Sequence, residues 1–173
     1  MAIDKGYIQV YTGNGKGKTT AALGIALRCL CAGNKVFFGQ FMKGQDYSEL
    51  KAVEYFPNLA MEQFGNLCFV NGKPAAEDYE GARKGLARMK DALSSGRYDM
   101  VVFDEINTAL FFHLLEVEEV LEVLDQKPEN TEVILTGRYA PQEIRDRADL
   151  VTEMKEIKHY YNAGVDARTG IEN

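Results

Sequence analysis

Tyr11-Thr-Gly-Asn-Gly-Lys-Gly-Lys-Thr-Thr20 separates a short apolar, β-rich segment from a helical one. A strand that runs into a glycine-rich turn and straight on into a helix commits the chain to an α/β unit. The glycines let the backbone curl, so that successive N–H groups point at phosphate oxygens, and the following helix adds its unpaired amides and positive dipole end. Lys18 can reach the phosphates and the Thr19 hydroxyl can bind Mg2+. The run reads as a nucleotide phosphate loop. The alternative is a glycine-rich turn with no ligand, but strand, loop, Lys-Thr and helix all follow in order.

The loop departs from the usual G-x-x-x-x-G-K-[ST] pattern. Counting back from Gly17-Lys18-Thr19 puts Thr12 where the first glycine should stand. Gly13 and Gly15 sit inside the loop instead, together with an extra base, Lys16.

The periodicity alternates throughout. Strands are expected over Tyr7–Tyr11, Lys35–Phe41, Leu59–Phe64, Met100–Phe103, Glu132–Leu135 and Leu150–Met154. Helices are expected over Lys18 to about Ala32, a short stretch capped by Ser48 and stopped by Pro57, Glu77 to about Ser95, Val117–Leu124 and Pro141–Arg147. The small Ala21, Ala22, Gly24 and Ala26 suit the first helix to close packing on a sheet. Met100-Val-Val-Phe103 is apolar at every position, as for a strand buried on both faces. The tail from Lys155 has no periodicity. The expected architecture is α/β with a mainly parallel sheet in one domain spanning residues 1–173. Ligands of such sheets sit beyond the carboxyl ends of the strands, where the phosphate loop, the Lys43 loop and Asp104-Glu105 all fall.

Met100-Val-Val-Phe-Asp104-Glu105 has the form of a Walker B strand, four apolar residues followed by acid. A carboxylate here can hold Mg2+ opposite Thr19, and because the strand ends here either acid can turn towards the metal. The bland alternative is a polar strand end. The net charge of -6 argues against a general nucleic-acid partner, which wants a basic face. No stretch approaches the ~18–20 apolar residues of a membrane span, and Met1–Lys5 does not read as a signal peptide. Cys29, Cys31 and Cys68 lack C-x-x-C spacing and read as small core residues of a cytoplasmic protein.

Several segments resemble the P-loop ATP:cob(I)alamin (corrinoid) adenosyltransferase family. They are Thr12–Ala22, Gln40-Phe-Met-Lys-Gly44, Val101–Glu105, Thr136-Gly-Arg138 and the run Ala148-Asp-Leu-Val-Thr-Glu-Met-Lys-Glu-Ile-Lys-His159, continued by Gly164–Ala167 and Gly170-Ile-Glu172. The phosphate loop is shared by many ATPases; the C-terminal run is far more specific. The resemblance implies a P-loop NTPase (RecA-like) fold. It implies transfer of the 5′-deoxyadenosyl group of ATP to the Co(I) of a reduced corrinoid, yielding adenosylcobalamin and triphosphate. It also implies that Asn14, Gly15, Gly17, Lys18, Thr19 and Thr20 hold the phosphates, with Gly13 and Lys16 in the same loop. Thr19 and Glu105 would bind Mg2+, with Asp104 beside them, and Arg28 matches a family position near the nucleotide. Arg138 either reaches the nucleotide or pairs with an acid.

The corrinoid needs an apolar wall with no group to ligate cobalt from below. Phe64, Cys68, Phe69 and Val70 lie where the family places such residues, and core packing is the alternative for each. Some members carry a tryptophan there, and this chain has none. Some also carry an N-terminal extension near the active site, so closure here is expected to come from elsewhere, such as across a dimer. The resemblance further implies a homodimer and a reduced flavoprotein as electron donor. His113, in Leu110-Phe-Phe-His-Leu-Leu115, reads as a packed histidine. His159 reads as a phosphate or substrate contact, or as a hydrogen bond holding the tail. Tyr160 and Tyr161 are expected to pack the tail down. Two other functions fit the motifs: a RecA-like ATP-hydrolysing or phosphotransfer enzyme, in which Glu105 orients a water, and a non-catalytic Mg-ATP-responsive binding protein.

Overall fold

The computed structural model describes residues 3–66 and 74–173. Six strands form one sheet: β1 Ile8–Thr12, β2 Val36–Gln40, β3 Leu59–Gln63, β4 Met100–Asp104, β5 Glu132–Thr136 and β6 Leu150–Glu153. Their order is β3-β2-β4-β5-β1-β6, and every pairing is parallel. The helices are α1 Lys18–Cys31, α2 Ala76–Ser94, α3 Ile106–Phe111, α4 Val117–Leu124 and α5 Gln142–Arg147, with 3-10 turns at Ser48–Glu54 and Tyr160–Ala163.

The central strands β2, β4 and β5 are buried at all five of their positions, because helices cover both faces of the sheet. Alternation along each strand divides the core in two. Phe38, Val102 and Ile134 face α1, where Ala22 and Ala26 let the helix approach closely. Phe37, Val101, Phe103, Val133 and Leu135 face the other way, towards α2, α3, α4 and α5. Each fully buried Phe, Leu or Ile contributes on the order of 1.5–3 kcal/mol.

Gly24, expected on the packed face of α1, is exposed and has nothing within 4 Å of where its Cβ would stand. The glycines of α2 do have a packing reason. A Cβ on Gly81 would meet the Phe64 carbonyl at 2.2 Å, and one on Gly85 would meet the Phe64 and Phe41 rings at 2.8 Å. The chain leaving β3 therefore lies directly on α2.

Three further expectations need correction. Ser48 is not a helix cap: Tyr47 holds that position without a side-chain bond, and Ser48 Oγ donates to the Asn173 carbonyl at 2.9 Å. His113 is exposed rather than packed. It takes φ of 54° just past α3, where its amide bonds to the Leu110 carbonyl and that of Leu114 to the Ala109 carbonyl, a Schellman ending on a non-glycine residue. Cys29 is buried as expected, but Cys31 is exposed; Cys68 lies outside the described residues.

Candidate active site

The parallel register fixes which side chains meet. Gln40 at the end of β2 stands opposite Asp104 at the end of β4, and Phe103 opposite Leu135 brings Thr136 of β5 to the other side. The phosphate loop leaves β1 at the same edge. Gly13 and Gly17 take φ of 94° and 113°, in the left-handed region that side chains disfavour. Gly17 is the N-cap of α1, so the turn into the helix depends on it.

Asp104 is the hub of the site and is fully buried. Its Oδ1 accepts from Thr19 Oγ1 at 2.8 Å and from Thr136 Oγ1 at 2.6 Å. Its Oδ2 accepts from Lys43 Nζ at 2.9 Å and from Gln40 Nε2 at 3.4 Å. Lys43 Nζ also lies 3.3 Å from Thr19 Oγ1 and 3.8 Å from Glu49 Oε1. Burial works against its charge, but attraction and hydrogen bonding to Asp104, with help from Glu105 and Glu49, hold its pKa above the ordinary lysine value.

Glu105 follows at φ of 61° as the N-cap of α3. A non-glycine residue costs of order 1–3 kcal/mol in sparsely populated backbone space, and such residues gather at functional sites. The turn brings the Glu105 side chain into the cleft, next to Asp104. Its amide is held by Thr136 Oγ1 at 2.9 Å and its Oε2 by Thr108 Oγ1 at 2.5 Å. Burial, and then the like charge of Asp104, raise its pKa. Lys18 is buried as well, its Nζ on the Gly15 carbonyl at 2.7 Å. Burial lowers its pKa against the attraction of Glu105 and Asp104.

These groups border a cleft of about 830 Å³. Asn14, Gly15, Lys16, Gly17, Lys18, Thr19 and Thr20 form one wall, with Lys43, Glu105 and Arg138 beside them. The tail forms the opposite wall through His159, Tyr161, Asn162 and residues 170–173. The Met154 carbonyl accepts the Gly15 amide at 2.8 Å, so that donor is turned to the tail. Lys16 reaches the Ile171 carbonyl at 3.4 Å and the Glu172 carboxylate at 3.8 Å. His159 Nδ1 accepts the Tyr161 amide at 3.1 Å. Tyr160 hydrogen-bonds Glu172, whereas Tyr161 is 68% exposed rather than packed down.

Gly13 lies against the Met154 carbonyl rather than in the cleft lining, where a Cβ would come within 2.4 Å. Arg28 sits exposed in the last turn of α1, outside the cleft lining, and at 1.5 Å rise per residue stands roughly 15 Å along the helix from the loop. Phe64 is buried, its ring 5.4 Å from that of Phe41, under a small pocket with Met42 and Leu114. Cys68, Phe69 and Val70 lie outside the described residues. Sequence reasoning assigned no role to Gln40, Lys43, Thr136 or Thr108. Position was the available signal, since Gln40, Lys43 and Thr136 fall at or just beyond the carboxyl ends of strands.

The donor set suits Mg2+. Mg2+ at nucleotide sites takes one or two carboxylates and completes its shell with phosphate and water. Thr19 Oγ1, Asp104 and Glu105 supply hard oxygens, and a cation, the Lys43 ammonium, already lies between the first two. Among the described residues no group of three or more His, Cys, Asp or Glu could hold a metal by itself, so the cleft has no all-protein metal cage.

Fold and site together define a P-loop nucleotide-binding α/β protein. Among solved structures, a RadB recombinase superposes with a TM-score of 0.57 at 19% identity, covering 90% of this chain and 77% of that one. A KaiC-like protein from Pyrococcus horikoshii superposes at 0.56 and 15%, covering 89% and 75%. These likenesses establish the RecA-like P-loop fold. Residues 4–173 match the family described as ATP:corrinoid adenosyltransferase BtuR/CobO/CobP, and the chain belongs to that family. A corrinoid adenosyltransferase from Sinorhizobium is 37% identical over 180 residues, 98% of this chain and 81% of its own length. One from Escherichia coli K12 is 36% identical over 171 residues, 98% and 86%. No helix among the described residues is long and apolar enough to cross a membrane.

Proposed function

We infer that this protein is an ATP:corrinoid adenosyltransferase, forming adenosylcobalamin from ATP and a reduced corrinoid. The observation that carries the reading is the tail. The run that a generic ATPase has no use for, from Ala148 to Glu172, reaches back to build the far wall of the phosphate-loop cleft.

In the reaction Co(I) supplies the electron pair for a new Co–C5′ bond, and the C5′–O bond breaks with its pair leaving on the intact triphosphate. Cobalt is formally oxidised from Co(I) to Co(III). No proton transfer is required at carbon, so the protein's task is positioning and stabilising charge on the leaving group. Lys18 lines the cleft where that charge develops, together with Asn14, Gly17, Thr19 and Thr20 of the loop and the first turn of α1. Lys16 and Arg138 add positive charge at its rim. Mg2+, held by Thr19 and Glu105 with Asp104 beside them, would neutralise phosphate charge when bound. Burial of Lys18 strengthens its effect on a bound anion, because the surrounding protein screens less than water.

The second substrate needs an apolar approach to C5′, assigned to Phe64, Cys68, Phe69 and Val70. A homodimer and a reduced flavoprotein donor complete the proposal, together with a cytoplasmic setting. The test is the fate of the phosphates. ATP labelled at the γ-phosphate, incubated anaerobically with reduced corrinoid, should yield labelled triphosphate; labelled orthophosphate would support the ATP-hydrolysing alternative.

A further inference from the structure

Lys43 has a largely buried ammonium that the adenosyl-transfer chemistry does not by itself require. Its side chain is 13% exposed, and its Nζ lies 2.9 Å from Asp104 Oδ2 and 3.3 Å from Thr19 Oγ1. Those two side chains are also the ones the end of β4 and the first turn of α1 would turn to a divalent cation. Mg2+ binds oxygen at about 2.0–2.1 Å in a demanding octahedral shell. An ammonium on the same two groups occupies the volume that shell needs, and the two positive charges repel at close range. The two cations are therefore mutually exclusive while Lys43 keeps this position.

Lys43 has somewhere to go. Glu49 Oε1 lies 3.8 Å from its Nζ, and the Tyr47 ring stands 5.1 Å away. Lys43, Tyr47 and Glu49 all line the same cleft as the phosphate loop. The flexible stem of a lysine lets the ammonium swing about an anchored Cα, and a bound triphosphate is the strongest anion within that arc.

We propose that the Lys43 ammonium holds the metal position in the nucleotide-free protein and is exchanged for the divalent cation as nucleotide enters, moving onto the triphosphate. Lys43 is then a positioning residue. It keeps Asp104 and Thr19 in place while the site is empty, limits metal binding before ATP arrives, and becomes another cation for the leaving group. The proposal rests on the reading that Thr19, Asp104 and Glu105 surround the metal.

The experiment measures divalent binding without turnover. Mn2+ is titrated into the nucleotide-free protein and free Mn2+ is read by electron paramagnetic resonance, for wild type, Lys43→Met and Lys43→Gln. Calorimetry then gives ATP affinity with and without Mg2+. Removing the competitor should tighten Mn2+ binding about tenfold or more and weaken Mg-ATP binding by a similar factor. Thermal unfolding adds a readout independent of either titration. Lys43→Met leaves Asp104 short of a partner, so its Tm should drop in chelator and recover with Mn2+, while the wild-type Tm stays nearly flat. The neutral Lys43→Gln should repeat the pattern if the methionine variant does not fold. Unchanged Mn2+ affinity overturns the proposal, as does tighter Mn2+ binding with undiminished Mg-ATP affinity. If wild-type ATP binding is indifferent to Mg2+, the metal reading itself falls and the exchange falls with it. If it needs Mg2+ while the variants match wild type, only the exchange is wrong.

Discussion

Thr19 Oγ1 donates to Asp104 Oδ1 at 2.8 Å, joining the first turn of α1 to the end of β4 across the phosphate-loop edge. Thr136 Oγ1 reaches the same oxygen from β5 at 2.6 Å. Three elements far apart in sequence thus share one carboxylate oxygen. The nucleotide loop is therefore braced against the sheet before any ligand enters, which reduces the ordering that binding must otherwise impose.

Asp104→Ala should be strongly destabilising as well as inactive. It would strip the partner from a buried ammonium and leave Thr136 Oγ1 without its acceptor. Breaking one side of a buried ion pair costs about 3–5 kcal/mol. Urea denaturation should show the loss as a lower midpoint at unchanged slope. A change within about 0.5 kcal/mol, the range of an ordinary surface substitution, would mean that the network contributes nothing.

Lys18→Ala should separate function from folding in the opposite sense. The ammonium donates to the Gly15 carbonyl at 2.7 Å, and burial already disfavours its charge. Removing it should leave Tm nearly unchanged while kcat/KM for ATP falls ~10²–10³-fold, the scale for losing one electrostatic donor at a transition state. Steady-state kinetics beside thermal unfolding make the comparison; a collapse of Tm would show a structural lysine instead.

Glu105→Gln tests the acid that desolvation and Asp104 hold above its ordinary pKa. A carboxyl with a folded pKa raised over the unfolded value favours folding while protonated, and that contribution is lost as pH rises through the folded pKa. At neutral pH its charge therefore opposes folding. The glutamine keeps an acceptor for Thr108 and removes the charge, so the variant should be at least as stable as wild type at pH 7. Its Mg2+-dependent turnover should nevertheless fall. A variant that unfolds several degrees earlier would contradict the assigned electrostatics.

The β-strands were legible because their signal is local. Met100–Phe103 and Val133–Leu135 are apolar without interruption, and the structure extends each at its carboxyl end by one polar residue, Asp104 and Thr136, that serves the site. α3 was not legible. It is six residues long, begins at a left-handed glutamate and ends at a left-handed histidine, so no cap residue announces it. The loop lysine and the Walker B acids could be read from spacing because their chemistry depends on neighbours in sequence. The Lys43–Asp104 pair could not, since it arises from the adjacency of β2 and β4, separated by 64 positions at Gln40 and Asp104. The aperiodic tail likewise gave no structural signal, because its docking is made by single contacts such as Ser48 with Asn173 and Lys16 with Glu172.

The tail's docking has a distinct pH signature. Hydrogen bonds from Arg168 and Tyr160 hold the Glu172 carboxyl at about 2, below its ordinary 4.5. An acid with a depressed folded pKa supports the folded arrangement above its unfolded pKa and loses that support as pH falls through the folded one. The tail contacts should therefore be indifferent to pH between 5 and 8 and weaken from about 4.5 down towards 2. The Arg168 amide donates to Glu172 Oε2 at 2.8 Å, so its NMR shift reports the event. Titration of that signal near 4.5 would show that the contact does not persist in solution.

The most direct test of the account is an anaerobic reaction of the purified protein with Mg-ATP and chemically reduced cobalamin. The Co(I) spectrum and the phosphate products are followed together. Adenosyl transfer gives loss of Co(I), a light-sensitive adenosylated corrinoid and one triphosphate for each cobalt alkylated. ADP and orthophosphate with the cobalt spectrum unchanged would contradict it.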